Sequence, residues 1–233
     1  MNSPRVIVAL DYASAEEATA FVARVTPPHC WLKLGLELYT AAGPMFVRRL
    51  KELGFRVFLD LKFHDIPNTV ERACRQAATL GVDLLTVHCL GGRAMLEAAR
   101  RGVGDTPARP RVIGVTLLTS LDARDTLEIG VSGDIASRTL ALAELARSAG
   151  LDGVVCAPTE AQVLRSRLGP NFLLVTPGIR PAGDAVGDQR RVATPAQALA
   201  SGADLLVIGR PVTQAADPSA ALLSIEREIA DVK

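Results

Sequence analysis

Eight apolar, β-branched runs punctuate the chain: residues 5–10 (RVIVAL), 31–36 (WLKLGL), 56–61 (RVFLDL), 84–89 (LLTVHC), 111–118 (RVIGVTLL), 153–157 (GVVCA), 172–179 (FLLVTPGI) and 205–209 (LLVIG). Their apolar character is continuous rather than alternating, the mark of a strand covered on both faces, and it points to parallel pairing. Helical patterns fill the intervals. Ser14 and Glu17 form a capping box ahead of the stripe Ala18, Phe21, Val22 and Val25, while Pro67 sits at the first turn of a helix carrying Val70, Cys74 and Ala77. Gly54, Gly81, Gly150 and Gly202 each stand two to five residues before an apolar run, where a helix would end.

Strand starts lie 19 to 42 residues apart, about one βα unit each, and 233 residues is close to the usual size of an eightfold barrel. The pattern predicts an α/β fold, a single (β/α)8 TIM barrel of eight strands and eight helices, forming one domain over residues 1–233. The rival is an open doubly wound sheet, which usually carries a glycine-rich phosphate turn after its first strand. Here that turn is Asp11-Tyr12-Ala13-Ser14, without glycine.

Charge and cysteine content narrow the partners. Lys and Arg number 26 against 25 Asp and Glu, and a net charge of +1 gives no field to attract nucleic acid or an anionic membrane. Any anion must be held by a local site. Cys30, Cys74, Cys89 and Cys156 fall 44, 15 and 67 residues apart, neither a C-x-x-C pair nor a dense disulfide framework, and read as buried thiols. The N-terminus lacks a signal-peptide stretch and no run approaches the ~18 apolar residues of a membrane span. A cytoplasmic protein is expected.

In such a barrel the active site is built at the C-terminal ends of the strands. Asp11 closes strand 1, Lys33 lies in strand 2, Asp60 and Lys62 close strand 3, Thr119 and Ser120 follow strand 5, and Arg210 follows strand 8. At period two, Asp60 and Lys62 share one face of their strand, and Lys33 on the neighbouring strand extends the row to Lys, Asp, Lys. Buried charge is unfavourable unless paired. One structural ion pair at the barrel rim would satisfy that rule, but the third charge, together with Asp65, weighs toward a reactive site. Barrels often bind phosphate with the loops after strands 7 and 8, and those loops offer Gly178, Arg180, Gln189, Gly209 and Arg210. The stretch 181–194, with Gly183 and Gly187, is long enough to form a lid. His29, His64 and His88 are scattered, with no metal-ligand spacing, so no metal is expected.

The string Asp60-Leu61-Lys62-Phe63-His64-Asp65-Ile66-Pro67-Asn68-Thr69 resembles the bacterial orotidine 5′-phosphate decarboxylase family. The likeness extends through Val8 to Asp11, Lys33-Leu34-Gly35, Val115 to Ser120, Thr176 to Pro181 and Ile208 to Pro211, essentially the whole chain. It implies cofactor-free conversion of orotidine 5′-monophosphate to uridine 5′-monophosphate and carbon dioxide, in a homodimer with sites at the interface. Lys33, Asp60, Lys62 and Asp65 would form the catalytic set, with Lys62 as proton donor to C6. Asp11, Lys33, Asp60, Thr69, Thr119, Ser120, Pro177, Arg180, Gln189, Gly209 and Arg210 would bind substrate. Asp65 and Thr69 would serve the neighbouring subunit. Two other readings compete: a metal-dependent decarboxylase or epimerase of sugar phosphates, which can share Asp-x-Lys-x-x-Asp, and a non-catalytic nucleotide-binding barrel. Lys33 opposes the first, because its ammonium would repel a divalent ion.

Overall fold

A computed structural model describes residues 4–181, 192–230 and 232. Eight strands, β1 (Val6–Leu10), β2 (Trp31–Leu34), β3 (Val57–Phe63), β4 (Leu84–His88), β5 (Arg111–Val115), β6 (Gly153–Val155), β7 (Leu173–Thr176) and β8 (Leu205–Ile208), pair in sequence order. Parallel pairing of β1 with β8, Val6 opposite Leu206, closes the barrel. The predicted fold class is the observed one.

Alternation sorts each strand between two apolar cores. Ile7, Trp31, Phe58, Leu84, Ile113, Val175 and Leu205 fill the barrel interior. Their neighbours Val8, Leu32, Leu59 and Leu85 face outward and pack with helix residues such as Phe21, Leu50 and Val70. Both sides of the wall are therefore buried, which is why the strands read as unbroken apolar runs.

The helices are α1 (Ala15–Val22), α2 (Leu36–Glu52), α3 (Pro67–Thr79), α4 (Gly92–Gly102), α5 (Ala123–Glu128), α6 (Ile135–Ser148), α7 (Pro158–Leu168), α8 (Pro195–Ala200), α9 (Arg210–Thr213) and α10 (Pro218–Ala230). Ser14 Oγ caps α1 by accepting from Glu17 N at 3.2 Å, and Pro67 occupies the first turn of α3. Ten helices among the described residues, where eight were expected, reflect two short insertions into the loops after β5 and β8. Nothing in the sequence pattern marked residues 121–132, yet Asp122 there caps α5 through Arg124 N and Asp125 N at 2.9 and 3.0 Å. Helix α2 is interrupted at Gly43, whose φ of 66° precedes Pro44.

At the N-terminal pole, Asp83, Asp152 and Asp204 accept from Val57 N, Val112 N and Leu174 N, each at 2.7 Å. Their carboxylates also pair with Lys51, Arg109 and Arg165. Each clamp fastens an even-numbered strand's entry to its odd-numbered neighbour and satisfies an end amide. Among the described residues, no helix is long and apolar enough to cross a membrane.

Candidate active site

The C-terminal mouth of the barrel opens into a cavity of about 450 Å³. Asp11, Lys33, Asp60 and Lys62 line one side, Thr119 another, and Pro177, Gly178, Arg180, Gly209 and Arg210 the rim formed after β7 and β8. Ala9, Phe58, Leu117, Val155 and Val207 supply an apolar wall and floor. A polar row facing an apolar wall is suited to a flat ring carrying charge at one edge.

Lys33 follows from the alternation of β2: Trp31 and Lys33 point inward, with Lys33 paired in register to Ala9 and Phe58. Its ammonium lies 3.5 Å from Asp11 Oδ1 and 3.7 Å from Asp60 Oδ2. Gly35 leaves room for it, since a Cβ there would stand 3.3 Å from Lys33 Nζ. Asp60 Oδ2 also accepts from Lys62 Nζ at 2.9 Å. Lys33 and Asp60 are buried, while Asp11 reaches into solvent. The expected Lys, Asp, Lys row is thus a continuous chain of ion pairs.

The route to that row differs from simple alternation. Lys62 has a φ of 50°, and the β3–β4 register shifts between Leu59 and Phe63. A non-glycine residue in the left-handed region carries about 1–2 kcal/mol of strain, compensated here by the partners that hold Lys62. Its amide N–H donates to Thr86 Oγ1 at 2.9 Å, and the Thr86 hydroxyl donates to Asp60 Oδ1 at 3.0 Å. Thr86 escaped the sequence reading, although a threonine between Leu85 and Val87 in a doubly covered strand was a visible signal. Parity does not reach Asp65 either, because β3 ends at Phe63 and α3 begins at Pro67.

Asp65, Thr69 and Ser120 are exposed and do not line the cavity. Asp65 Oδ1 accepts from Ile66 N at 2.6 Å. Gln189 and most of the expected lid, residues 182–191, lie outside the described residues. Flanking that stretch, Arg180 N donates to Ala193 O at 3.0 Å, and Ile179 bridges to Ala193. Gln214, just past α9, also lines the cavity and was not anticipated.

His64 and His88 stack with centroids 5.4 Å apart, and His88 Nδ1 is buried without a hydrogen-bond partner among the described residues. Burial first, then the nearby His64 and Lys62 charges, hold the His88 imidazolium below its ordinary range. Burial pushes all four thiols up to about 12, so none is a thiolate nucleophile near neutrality. Among the described residues, no three His, Cys, Asp or Glu side chains gather as a metal-ligand set.

Residues 4–225 match the Orotidine 5′-phosphate decarboxylase / HUMPS family. The chain belongs to this family. It is 53% identical over 232 residues to the orotidine 5′-phosphate decarboxylase of Nitrosococcus oceani, covering 100% of both chains. Identity to that of Halorhodospira halophila is 55% over 227 residues, covering 97% of this chain and 96% of the relative. Among solved structures, the orotidine 5′-phosphate decarboxylase of Lactobacillus acidophilus aligns with a TM-score of 0.87 at 39% identity, over 98% of this chain and 99% of that one. Both full-length relatives carry the decarboxylase name.

Proposed function

We propose that the cavity binds orotidine 5′-monophosphate, with its phosphate at the β7 and β8 loops, and converts it to uridine 5′-monophosphate and carbon dioxide for pyrimidine synthesis. The carrying observation is the Lys33, Asp60, Lys62 ion-pair row at the cavity wall, in a chain whose full-length relatives are named for this reaction.

The C6–carboxylate bond breaks and its electron pair stays on C6, in the plane of the ring, where the π system cannot delocalise it. Positive charge must therefore be supplied through space. Lys62 places an ammonium beside C6 and transfers one of its protons there, leaving an amine that regains a proton from water. Asp60 faces the departing carboxylate. Like-charge repulsion at about 4 Å and an effective dielectric of about 20 is worth roughly 4 kcal/mol. Enzymes lower barriers by about 8–23 kcal/mol, so repulsion is the smaller contribution. Stabilisation of the anion, and phosphate binding energy that holds C6 in a desolvated pocket, supply the rest.

Arg180 and Arg210 bind the phosphate, aided by backbone at Gly178 and Gly209 and by Pro177 and Gln189. Asp11 and Lys33 hold the ribose hydroxyls; Thr119 and Ser120 meet the pyrimidine edge. The lysines provide the cationic charge, and our mechanism calls on no metal or cofactor. Asp65 and Thr69 serve the neighbouring subunit of a homodimer. Support for this comes from their exposure outside their own cavity, and from exposed Leu36, Ile66 and Leu90, which follow β2, β3 and β4 at the mouth and form a surface suited to a second copy. Buried, unpaired cysteines support a reducing, cytoplasmic setting.

Turnover of orotidine 5′-monophosphate, followed by its ultraviolet absorbance, tests the assignment. Lys62→Ala should abolish turnover and leave the fold intact. A tenth or more of wild-type kcat in that variant would remove Lys62 from the role.

A further inference from the structure

We infer that Thr86 is a positioning residue for decarboxylation, its hydroxyl holding Asp60 and Lys62 in one geometry, an inference that rests on the assignment of those two residues above. Thr86 is fully buried on β4, beside the barrel-interior residue Leu84 and clear of the outward-facing Leu85 and Val87. It does not line the cavity, so it acts through its neighbours rather than on the substrate.

One hydroxyl has one proton to give and lone pairs to accept, and both capacities are used within the charge row. The proton goes to Asp60 Oδ1 at 3.0 Å, which turns Oδ2 toward Lys62 Nζ at 2.9 Å and Lys33 Nζ at 3.7 Å. Without that bond the carboxylate could rotate and exchange its oxygens between the lysines. The lone pair takes the Lys62 amide N–H at 2.9 Å. That contact secures the left-handed Lys62 backbone, with φ of 50°, where the β3–β4 register shifts. The same group therefore fixes where the ammonium leaves the main chain and where its counter-charge faces. Small misplacements of reacting groups have large effects on rate, because the pocket relies on preorganised charge.

Serine and alanine at position 86 differ only by the hydroxyl, and valine preserves the side-chain shape without it. Thr86→Ala and Thr86→Val should lower kcat by about 10- to 100-fold, the range for losing a buried hydrogen bond to a charged group. Binding of uridine 5′-monophosphate, which lacks the carboxylate, and KM for substrate should stay within about threefold, as expected when an interaction acts mainly in the transition state. Thr86→Ser should recover kcat to within about fivefold of wild type, because it restores both hydrogen bonds.

Circular dichroism and thermal melts establish that each variant is folded. If Thr86→Val does not fold, the alanine–serine pair makes the same comparison. Equal kcat in Thr86→Ala and Thr86→Ser, or a loss appearing wholly in KM, would overturn the role of Thr86 while Lys62→Ala remained inactive. Substantial activity in Lys62→Ala would instead overturn the underlying assignment, so the two failures are distinguishable.

Discussion

His88 shows how a residue outside the reacting row can govern behaviour with pH. Its native imidazolium is disfavoured by burial and by the adjacent His64 and Lys62, so its native pKa lies below the unfolded value. The unfolded chain therefore binds more protons as pH falls. His88 contributes stability that is fully present above the ordinary histidine range, about 6.5, and is lost as pH drops through the window toward the lowered native value. Wild-type Tm should accordingly fall more between about pH 7.5 and about pH 5.5 than that of His88→Gln, which cannot titrate there. Parallel Tm curves would show that His88 stays equally protonated in both states. Asp60, Lys62 and Lys33 were legible by residue type and spacing. Thr86 was not, because a lone threonine inside a strand gives no indication of what its hydroxyl meets until β3 and β4 are in register.

Among the elements, β4, β6 and β8 are entered through carboxylates that bind the amide of the preceding strand. Asp152 is representative: Val112 N donates to it at 2.7 Å and Arg109 pairs with both oxygens at 2.7 and 2.8 Å. Asp152→Ala leaves a strand amide and a guanidinium without their partner, for an expected loss of about 3 kcal/mol, or about 6–12 °C in Tm. Because these clamps sit at the pole opposite the cavity, kcat at moderate temperature should be unchanged. Asp105→Ala is the control: this aspartate pairs with Arg100 but its side chain is 90% exposed, so its removal should shift stability by less than about 0.5 kcal/mol. Calorimetry or thermal melts of the two variants, with kcat measured beside them, check the contrast. Comparable losses in both would mean that the clamps do not fasten the strands as described.

At the scale of the whole molecule, the proposed shared-site dimer leads to an expectation that a self-contained site does not. Lys62→Ala and Asp65→Ala should each be inactive alone, yet mixing them should restore activity. Random exchange of equal amounts gives about half heterodimers, each with one site holding both native residues, or about a quarter of wild-type activity. If subunit exchange is demonstrated by mass and no activity returns, Asp65 acts within its own chain. The dimer would also cover Ile66, which stands 66% exposed beside Asp65 at the start of α3. Ile66→Lys should thus shift the molecule toward monomer in sedimentation and lower specific activity as it dilutes.

The sequence by itself determined the barrel, because a strand buried on both faces must be apolar throughout, and eight such runs at βα spacing permit little else. It also determined which residues bring charge to the strand ends, since Lys33, Asp60 and Lys62 interrupt apolar runs where charge would be unfavourable without partners. Tertiary structure decided how those charges meet. The left-handed turn at Lys62, the hydroxyl of Thr86 between two strands, and the convergence of Arg180 with Arg210 depend on contacts among residues distant in the chain. The same holds for α5 and α9, short insertions whose few residues carry too little periodicity to be read. Periodicity encodes which face of an element is buried; it carries no information on which neighbour will lie against that face, and the chemistry of this site depends on those neighbours.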